Sequence, residues 1–413
     1  MIATGDRPAR PGIIISKMKK TEKVLVVGGG FAGIKTVLEL SEDPRFAVTL
    51  LTEDTDLRYY PTLYHTATGG KRANSSLPLS TILKGRKVEL AQGTAATLDR
   101  KAKAVTTTEG KSYPYDTLVL ALGVVTNYFG IPGLQEYSYS IKSQSEAARF
   151  KAHLHEQLLS DHRPDLNYVI VGAGPTGIEL AGALPSYLRR IMHNHNISHR
   201  AIHVDLIEAA PRLLPRLSKG TARRVGRQLR KLGIRIYLGS AVQGETADEL
   251  TVNSKPIRSH TVVWTAGVTN HPFYKANDFV LTKRGKVAVD TFLQAEDNIF
   301  VLGDNANTPY SGQAQTALRD GEFVAANLKR QASGKNMKSY IAKQPITVIP
   351  AGPRWAAVIW GRVKLYGTAG WLLREAADYV GFHDLEPWDT AAKQWLTEFN
   401  AQDDCVVCTI AAS

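Results

Sequence analysis

The chain has 413 residues, more than one hydrophobic core usually holds, and its 43% hydrophobic and 22% charged content excludes global disorder. Lysine and arginine outnumber aspartate and glutamate by 51 to 38, and the net charge of +13 indicates either a basic solvated surface or an anionic partner such as a phosphorylated cofactor, a lipid surface or nucleic acid. The only two cysteines, Cys405 and Cys408, exclude a structural disulfide framework and fit a reducing compartment.

Residues 1–21 precede the first predicted element and are expected to form a flexible extension that carries no function. The apolar run from Gly12 to Ser16 lacks the apolar core and cleavage site of a signal peptide. No stretch of the sequence reaches the roughly 18 to 20 apolar residues that a membrane-spanning helix needs, so a transmembrane anchor is not expected.

The first predicted elements form a β-α-β unit. Lys23–Val27 is a continuous apolar run of strand length, which is typical of a strand buried on both faces of a parallel sheet. Ile34–Leu40 predicts the following helix and Phe46–Leu51 predicts the second strand.

The middle of the chain repeats this design. Asn167–Val171 predicts a strand, a helix beginning at Ile178 runs through Arg190 into a polar stretch, and Ile202–Ile207 predicts the returning strand. Three further predicted strands are each followed directly by a small residue, as expected where the backbone approaches a ligand; they are Asp116–Leu122, Thr261–Thr265 and Asn298–Leu302. The polar stretch contains His193, His195 and His199, which we interpret as a solvated loop, and no metal site is predicted.

A glycine-rich turn follows the first strand. Gly28 permits the tight turn, Gly30 lets the backbone approach a pyrophosphate, and Gly33 lets the helix pack on the strand. Phe31 and Ala32 complete this turn, and a pyrophosphate there would lie on the N-terminus of the following helix. The carboxylate expected to bind ribose hydroxyls is Glu53, at the end of the second strand, rather than its neighbour Asp54.

A second turn of the same kind follows Val171. Its residues are Gly172, Ala173, Gly174, Pro175, Thr176 and Gly177. Glu208 directly follows the returning strand, where a carboxylate accepts hydrogen bonds from the adenosine ribose and repels a 2′-phosphate. The sequence therefore predicts a preference for NADH over NADPH, although Arg212 lies close by in the sequence and weakens it.

Two such turns in one chain resemble the layout of flavin-dependent pyridine nucleotide oxidoreductases. Val301–Asp304 is similar to the second flavin motif of that family, in which the aspartate following Gly303 binds the ribityl chain, and Tyr115–Gly123 is similar to its crossover segment, with Leu122 replacing the usual threonine. The resemblance implies that FAD binds the first turn with Ala121, Gly123, Gly303 and Asp304, and that NADH binds the second turn with Ala266 and Gly267.

This resemblance predicts an α/β fold with two Rossmann-like domains. A discontinuous FAD-binding domain of residues 22–145 and 273–344 is interrupted by an NADH-binding domain of residues 146–272, and a C-terminal module follows at 345–413. Disulfide reductases and sulfide:quinone reductases need cysteines beside the flavin, and this chain has none before Cys405. What remains is transfer of electrons from NADH to an external acceptor.

Within that family, residues 22–385 resemble the type II NADH:quinone oxidoreductases most closely. The similar segments are Tyr60–Gly69, Gly177–Gly182, Glu208–Pro215 and Ala314–Arg319. The resemblance implies that Pro61 lies near the flavin, that Glu179 lies near the nicotinamide, and that Ala314 and Gln315 lie near the flavin and the quinone. Arg319 replaces a second glutamine of the family signature, at a position expected to border the quinone tunnel. A homodimer is also implied.

From about Pro345 onward, the sequence interleaves tryptophan with apolar and basic residues. Trp355, Trp360, Trp371 and Leu372 stand among Arg354, Arg362, Lys364 and Arg374. Aromatic side chains at headgroup depth, with cations facing anionic lipid, are typical of a surface that lies on a bilayer. The C-terminal module is therefore predicted to attach the protein peripherally to the cytoplasmic face of the cell membrane, the alternative being a packed helical pair or a dimer interface.

Other interpretations stay open at this level. The acceptor could be a small ferredoxin-like redox protein, with Arg319 and the basic surface as docking features, or the chain could be a redox-sensing flavoprotein similar to apoptosis-inducing factor. Nucleic-acid binding is not expected, since the sequence shows no basic helix or aromatic platform for bases. Cys405 and Cys408 form a CxxC pair that we interpret as part of a dispensable tail, the alternatives being an electron shuttle, a regulatory disulfide or a shared metal site.

Overall fold

Two β-sheets, each containing a strand that runs into a glycine turn, organise the chain; one is parallel throughout and the other is parallel except for its edge strand Gln294–Glu296. They are seen in a computed structural model that describes residues 21–160, 166–197, 200–386 and 388–399. Most of the proposed N-terminal extension, together with His199, Cys405 and Cys408, lies outside the described residues.

Residues 21–160 contain the first strands of one sheet together with several shorter strands outside it. The strands are β1 (Glu22–Val27), β2 (Phe46–Thr52), β3 (Asp56–Arg58), β4 (Ser76–Pro78), β5 (Val88–Gln92), β6 (Ala95–Asp99), β7 (Ala104–Thr107), β8 (Ser112–Pro114), β9 (Thr117–Leu120) and β10 (Val124–Thr126). The helices are α1 (Phe31–Leu40), α2 (Leu63–Ala67), α3 (Leu79–Ile82), α4 (Leu134–Tyr137) and α5 (Gln144–Leu159). The predicted strands of the first β-α-β unit are confirmed, and α1 begins at Phe31, directly after the glycine turn.

Residues 166–270 contain the second sheet. Its segment has the strands β11 (Asn167–Val171), β12 (His203–Glu208), β13 (Arg235–Leu238), β14 (Val242–Glu245), β15 (Glu249–Val252), β16 (Lys255–Arg258), β17 (Thr261–Trp264) and β18 (Val268–Asn270), and the helices α6 (Pro175–Asn194) and α7 (Lys219–Lys231). The order β13-β12-β11-β17 is parallel throughout. Helix α6 includes His193, which we had assigned to a loop; that assignment was wrong because the helix continues to Asn194.

The segment after the second sheet completes the first. It contains α8 (Pro272–Ala276), β19 (Gln294–Glu296), β20 (Ile299–Val301) and α9 (Ala314–Ala332). The first sheet has the order β19-β20-β9-β1-β2-β5, in which β20 pairs in parallel with β9. Because one sheet is built from two separate parts of the chain, the second sheet is inserted within the first unit.

The two passages of the chain between the sheets run side by side. Strands β10 and β18 pair antiparallel, with Val125 opposite Thr269. Beyond this crossing, Tyr139 forms an isolated bridge to Val263 in the second sheet. The domain limits at residues 145 and 272 stay a prediction. The pairing of β10 with β18 joins the two chain passages that connect the unit of the first glycine turn to the unit of the second.

The C-terminal region packs on both halves of the protein. It consists of β21 (Thr347–Pro350), β22 (Ala356–Trp360), β23 (Val363–Gly367), α10 (Thr368–His383) and α11 (Trp388–Phe399). Ile349 and Ala357 belong to the hydrophobic core of the second sheet, whereas Phe382 belongs to the core of the first. This region therefore holds the two halves together as well as presenting a surface.

A membrane surface requires exposed side chains, and the residues expected to form one in this region include both exposed and buried ones. Trp360 and Leu372 are 61% and 58% exposed. Arg374, which we expected among the cations facing lipid, is only 7% exposed, because it lies on the inner face of α10 and pairs with Glu375 and Asp378. Within the described ranges, the structure contains no helix that is long and apolar enough to cross a membrane.

Candidate cofactor and electron-transfer site

The first glycine turn has the geometry that its sequence predicts. A Cβ atom on Gly28, which has a φ of +112°, would collide with the carbonyl oxygen of Ala121, and one on Gly33 would collide with the carbonyl oxygen of Gly28. A Cβ on Gly30 would meet nothing within 4 Å, and this residue caps the N-terminus of α1. Two glycines thus allow close packing, and the third borders open space where the first N–H groups of the helix point.

The second turn repeats this arrangement. A Cβ atom on Gly172, with a φ of +105°, would lie 2.7 Å from Cα of Ala266, and one on Gly177 would collide with the carbonyl oxygen of Gly172. Gly174 again faces open space and caps α6, whose first two residues are the exposed Pro175 and Thr176. The chain therefore has two cradles of the same shape, each of which suits a pyrophosphate.

The strand ends of the first sheet converge on the first turn. Ala121 donates its N–H to Val27 at 2.8 Å, and Gly303, at a φ of +63°, packs against Ala32. The fully buried Asn305 joins these segments: its Oδ1 accepts from the N–H of Gly123 at 2.8 Å, and its Nδ2 donates to the carbonyl oxygen of the same residue. Sequence reasoning missed Asn305, since nothing local marks a residue that bonds to a loop so far away in the chain.

Asp304 lies in the 3-10 turn Gly303–Asn305 at the end of β20. Burial raises the pKa of Asp304, while the nearby cations Lys286 and Lys142 and the N–H of Gly312 oppose that shift. Asp320, a further residue that the sequence did not reveal, accepts from the N–H of Gly303 at 3.1 Å. Asp304 is thus held in a fixed turn, beside the cations Lys286 and Lys142.

Lys142 is the more informative of these two cations. Its Nζ is buried and has no hydrogen-bond partner among the residues that the structure describes. Burial lowers the pKa of Lys142 to about 8, although the Glu146 and Asp304 carboxylates oppose the shift. The Glu146 carboxylate is already engaged by the N–H groups of Lys142 and Ser143. A buried ammonium in this state fits an anionic or hydrogen-bond-accepting cofactor at Asp304.

The two carboxylates that follow β2 differ in their contacts. Asp54 forms an ion pair with Arg58, whereas Glu53 is exposed at the end of the strand. Pro61 lies in the 3-10 turn Tyr60–Thr62, in which Tyr60 is 45% exposed. Glu53 remains the residue of this pair that is open to a ribose.

Glu208 is fixed against the second turn. Its Oε2 accepts from the N–H of Ala173 at 2.7 Å, and its Oε1 accepts from the N–H of Ala210 at 2.8 Å. Arg212, which weakened the predicted preference for NADH, donates instead to the carbonyl oxygens of Leu217 and Pro215. The carboxylate thus stands at the turn without a competing guanidinium.

Glu179 lies in the first turns of α6 and meets the C-terminal helix α10. Burial raises the pKa of Glu179 to about 8; Arg374 opposes this shift and Asp378 reinforces it. Burial also lowers the pKa of His65 to about 4, with contributions from Arg374 and Arg190. At neutral pH the Glu179 carboxyl is therefore mostly protonated and His65 is neutral. Sequence reasoning gave no role to Arg374, Asp378 or His65 at this site.

Gln315 and Arg319 lie one turn apart at the start of α9 and both bond to the segment that leads into the C-terminal region. Gln315 Oε1 accepts from the N–H of Ile346 at 3.0 Å, and Arg319 Nη1 donates to the carbonyl oxygen of Lys343 at 3.1 Å. Ala314 is the first residue of the helix. Near the second turn, Gly267 lies against Phe129, with no room for a Cβ atom.

Comparisons with known proteins show what the chain is similar to. The family model described as pyridine nucleotide-disulphide oxidoreductase matches residues 22–321, which include both glycine turns and Asp304. A type II NADH:quinone oxidoreductase of Staphylococcus aureus is 28% identical over 343 residues, covering 77% of this chain and 85% of the relative. Among solved structures, NDH2 from Plasmodium falciparum in complex with NADH has a TM-score of 0.82 at 16% identity, covering 92% of this chain and 98% of that one. The sulfide:quinone oxidoreductase of Aquifex aeolicus has a TM-score of 0.73 at 22% identity, with coverages of 86% and 89%.

Proposed function

The chain belongs to the pyridine nucleotide-disulphide oxidoreductase family, and from that membership we propose that it oxidises NADH through bound FAD and passes the electrons to a quinone. One observation carries the proposal: two glycine turns of equivalent geometry end strands of two separate sheets. The only cysteines of the chain are Cys405 and Cys408, so the matched range of residues 22–321 offers no thiol for disulfide chemistry. An external electron acceptor is therefore needed.

The two cofactors are assigned by chain order. FAD is held by the first turn (Gly28, Gly30, Phe31, Ala32 and Gly33), Glu53, Pro61, the strand ends Ala121, Gly123, Gly303 and Asp304, and the start of α9 (Ala314 and Gln315). NADH is held by the second turn (Gly172, Gly174, Pro175, Thr176 and Gly177), Glu179, Glu208, Ala266 and Gly267. The open space beside Gly30 and Gly174, and the unpartnered ammonium of Lys142 near Asp304, support this fit.

The reaction takes a hydride from NADH and one proton from solvent, and it delivers two electrons and two protons to the quinone. FAD, when bound, supplies the ring system that accepts the hydride and releases the electrons. The protein supplies positioning rather than a nucleophile. The protonated Glu179 carboxyl, on the nicotinamide side, is a hydrogen-bond donor at neutral pH and orients the carboxamide of NADH.

The quinone approaches from the side of α9 that meets the C-terminal region. Gln315 and Arg319 hold residues 343–346 by the hydrogen bonds given above, and this segment leads directly into β21. Arg319 stands where the related enzymes have a glutamine in the signature, so the head group of the quinone meets a cation at this position. A homodimer remains an expectation from the relatives.

Peripheral attachment to the membrane surface is the part of the proposal that rests on the C-terminal region. One face of α10 carries exposed apolar residues at helical spacing: Ala369, Leu372, Leu373, Ala376, Ala377 and Val380. The opposite face carries the buried Arg374 and Asp378. A helix with an apolar outer stripe suits the interface of a bilayer, where a quinone would be reached without entering water.

The proposal is tested by steady-state oxidation of NADH by the purified full chain with FAD, in the presence of a short-chain quinone. Rapid turnover with the quinone is the expected result. Failure of the quinone, with rapid turnover on a small iron–sulfur redox protein, would instead make the chain a reductase of such proteins. Slow bleaching of the flavin by NADH and no turnover with either acceptor would favour a redox sensor.

A further inference from the structure

Helix α7 has one strongly cationic face, so the expectation that the chain contains no basic helix is wrong. Six of its thirteen residues are lysine or arginine, and it carries no acidic residue. Its inner face, which includes Val225 and Leu229, packs into the core of the second sheet. The outer face exposes four cations that border one shallow hollow: Arg223, Arg227, Arg230 and Lys231. We refer to these four residues as the cationic face.

The cationic face lacks anionic partners within the protein. None of its four side chains forms an ion pair with any residue in the described ranges, whereas other arginines do, such as Arg45 with Asp43 and Arg235 with Asp205. Arg227 lies four residues from both Arg223 and Lys231, and like charges at that spacing destabilise an isolated helix. An anionic surface placed against the outer face of this helix would neutralise that repulsion.

The N-terminal half of α7 is joined to the hairpin of β22 and β23. The guanidinium of Arg224 lies 4.5 Å from the ring centroid of Tyr366, and the hydroxyls of Tyr366 and Thr221 are 2.9 Å apart. Lys364 Nζ donates to Oγ of Ser218, the N-cap of the helix, at 3.3 Å. The helix and the hairpin therefore form one continuous surface.

The end of that hairpin is apolar and aromatic as well as basic. Trp360 is 61% exposed and Val363 is 55% exposed, and these two residues pair across the hairpin, with the exposed Arg362 between them in the turn. An exposed tryptophan and valine gain nothing against a nucleic-acid backbone, but they insert favourably at the headgroup level of a bilayer. Exposed arginines bind lipid phosphates as bidentate donors.

We propose that the cationic face and the hairpin end (Trp360, Arg362 and Val363) form a second membrane contact that binds a bilayer surface rich in anionic phospholipid. This inference rests on the proposed peripheral attachment but uses a different surface from the apolar stripe of α10. The cationic face supplies dependence on lipid charge, and the hairpin end supplies shallow insertion. The contact lies on the half of the protein that holds the second glycine turn, so it would orient that half towards the membrane.

The test uses the full FAD-loaded chain and vesicles of phosphatidylcholine with or without phosphatidylglycerol. In one variant the four residues of the cationic face are changed to glutamine (R223Q, R227Q, R230Q and K231Q). The matched control removes the same charge from exposed lysines elsewhere: K84Q, K87Q, K101Q and K335Q. Flavin content and turnover with a water-soluble quinone should be unchanged in both, and these readouts report on the proposed function independently of vesicle binding.

We expect the face variant to lose about tenfold or more in binding to anionic vesicles at low salt, and the control to stay within about twofold of the parent. W360S should lower the same affinity, and the parent's tryptophan emission should shift to the blue on binding. Equal losses in the face variant and the control would show that net charge alone matters and would overturn the proposal. It would also be overturned by unchanged vesicle binding of the face variant together with a loss of binding to duplex DNA.

Discussion

Arg374 Nη2 lies 2.9 Å from Oδ2 of Asp378, one turn further along α10, on the face of the helix that covers Glu179. Arg374 lowers the pKa of the Glu179 carboxyl and Asp378 raises it, while burial dominates both effects. The C-terminal helix therefore contributes to the electrostatic environment of Glu179, the residue proposed to orient the nicotinamide. We therefore expect binding of the dinucleotide to be coupled to packing of the C-terminal region through this contact.

The first prediction concerns the protonation of Glu179. Its pKa is raised from 4.5 to about 8, so the carboxyl donates a hydrogen bond below pH 8 and becomes an anion above it. We expect the rate of flavin bleaching by NADH to fall as the pH rises through about 8. E179Q, which keeps a neutral donor, should retain the neutral-pH rate and lose this decline. Rapid mixing under anaerobic conditions measures both proteins, and an identical alkaline decline in E179Q would contradict the assignment.

The same shift has a consequence for stability. A carboxyl with a raised folded-state pKa binds its proton more tightly in the folded than in the unfolded chain. Its contribution to the free energy of unfolding is fully present below pH 4.5 and is lost as the pH rises to about 8. The difference in free energy of unfolding between E179Q and the parent should therefore move in favour of E179Q across that window. Denaturant unfolding at several pH values measures it.

The second prediction concerns Glu208 and the choice of dinucleotide. Both of its carboxylate oxygens are fixed by N–H groups near the second turn, and Arg212 is engaged elsewhere. E208Q keeps the shape but removes the charge that repels a 2′-phosphate, so we expect the ratio of kcat/KM for NADH over NADPH to fall about tenfold or more. The control is E322Q, on an exposed position of α9. An unchanged ratio in E208Q would remove this residue from the ribose.

The third prediction concerns Lys142. A cation beside the flavin favours its electron-rich reduced form, so K142M should shift the midpoint potential of the bound flavin to a more negative value. Titration with a reductant and a reference dye measures the potential independently of turnover. K87M, at an exposed lysine that directly precedes β5, is the control. If K142M and K87M both leave the potential where the parent has it, the ammonium does not contact the flavin.

The fourth prediction separates the two halves of the reaction. Gln315 anchors the N–H of Ile346 at the expected acceptor side, so Q315A should slow reoxidation of the flavin by a quinone about tenfold while leaving its reduction by NADH within about twofold. Q331A, at an exposed position near the end of the same helix, should change neither step. Equal slowing of both steps in Q315A would show that this residue acts on the flavin alone and would contradict its role at the quinone.

The fifth prediction concerns the apolar stripe of α10. Replacing Leu372 and Val380 by glutamate (L372E with V380E) should reduce binding to uncharged phosphatidylcholine vesicles without loss of FAD, because both side chains are exposed. Truncation near Pro345 is a poorer test, since it would also remove Ile349 and Phe382 from the two hydrophobic cores. Vesicle binding that survives the double substitution would move the membrane contact away from this helix.

The sequence predicts those parts of the fold whose signals are local. An apolar run ending in glycines specifies β1 and its turn, and the same pattern specifies β11. The strands of both β-α-β units were therefore predicted to within one residue, whereas both helices begin three residues earlier than predicted. Asn305, Asp320 and Lys142 were missed because their partners lie far away in the sequence or are groups outside the chain. No sequence pattern distinguishes such polar residues from solvated ones.

The C-terminal region shows a second limit. Arg374 stands in a stretch of aromatic, apolar and basic residues that is typical of a membrane surface, yet α10 turns it inward. Which residues of such a helix face the protein depends on the ion pairs and on Tyr59, which stacks on Phe382 with ring centroids 4.4 Å apart. Helical periodicity separates the two faces of α10, but only the tertiary contacts show which one is buried.

The central claim is that the protein transfers electrons from NADH to a quinone. A sequential anaerobic mixing experiment on the full FAD-loaded chain tests it most directly. NADH is added first, in stoichiometric amount, and a short-chain quinone is added after the flavin absorbance has been lost. The account predicts that the absorbance returns at a rate no slower than steady-state turnover. Absorbance that stays lost in the presence of the quinone, but returns with a small iron–sulfur redox protein, would contradict it.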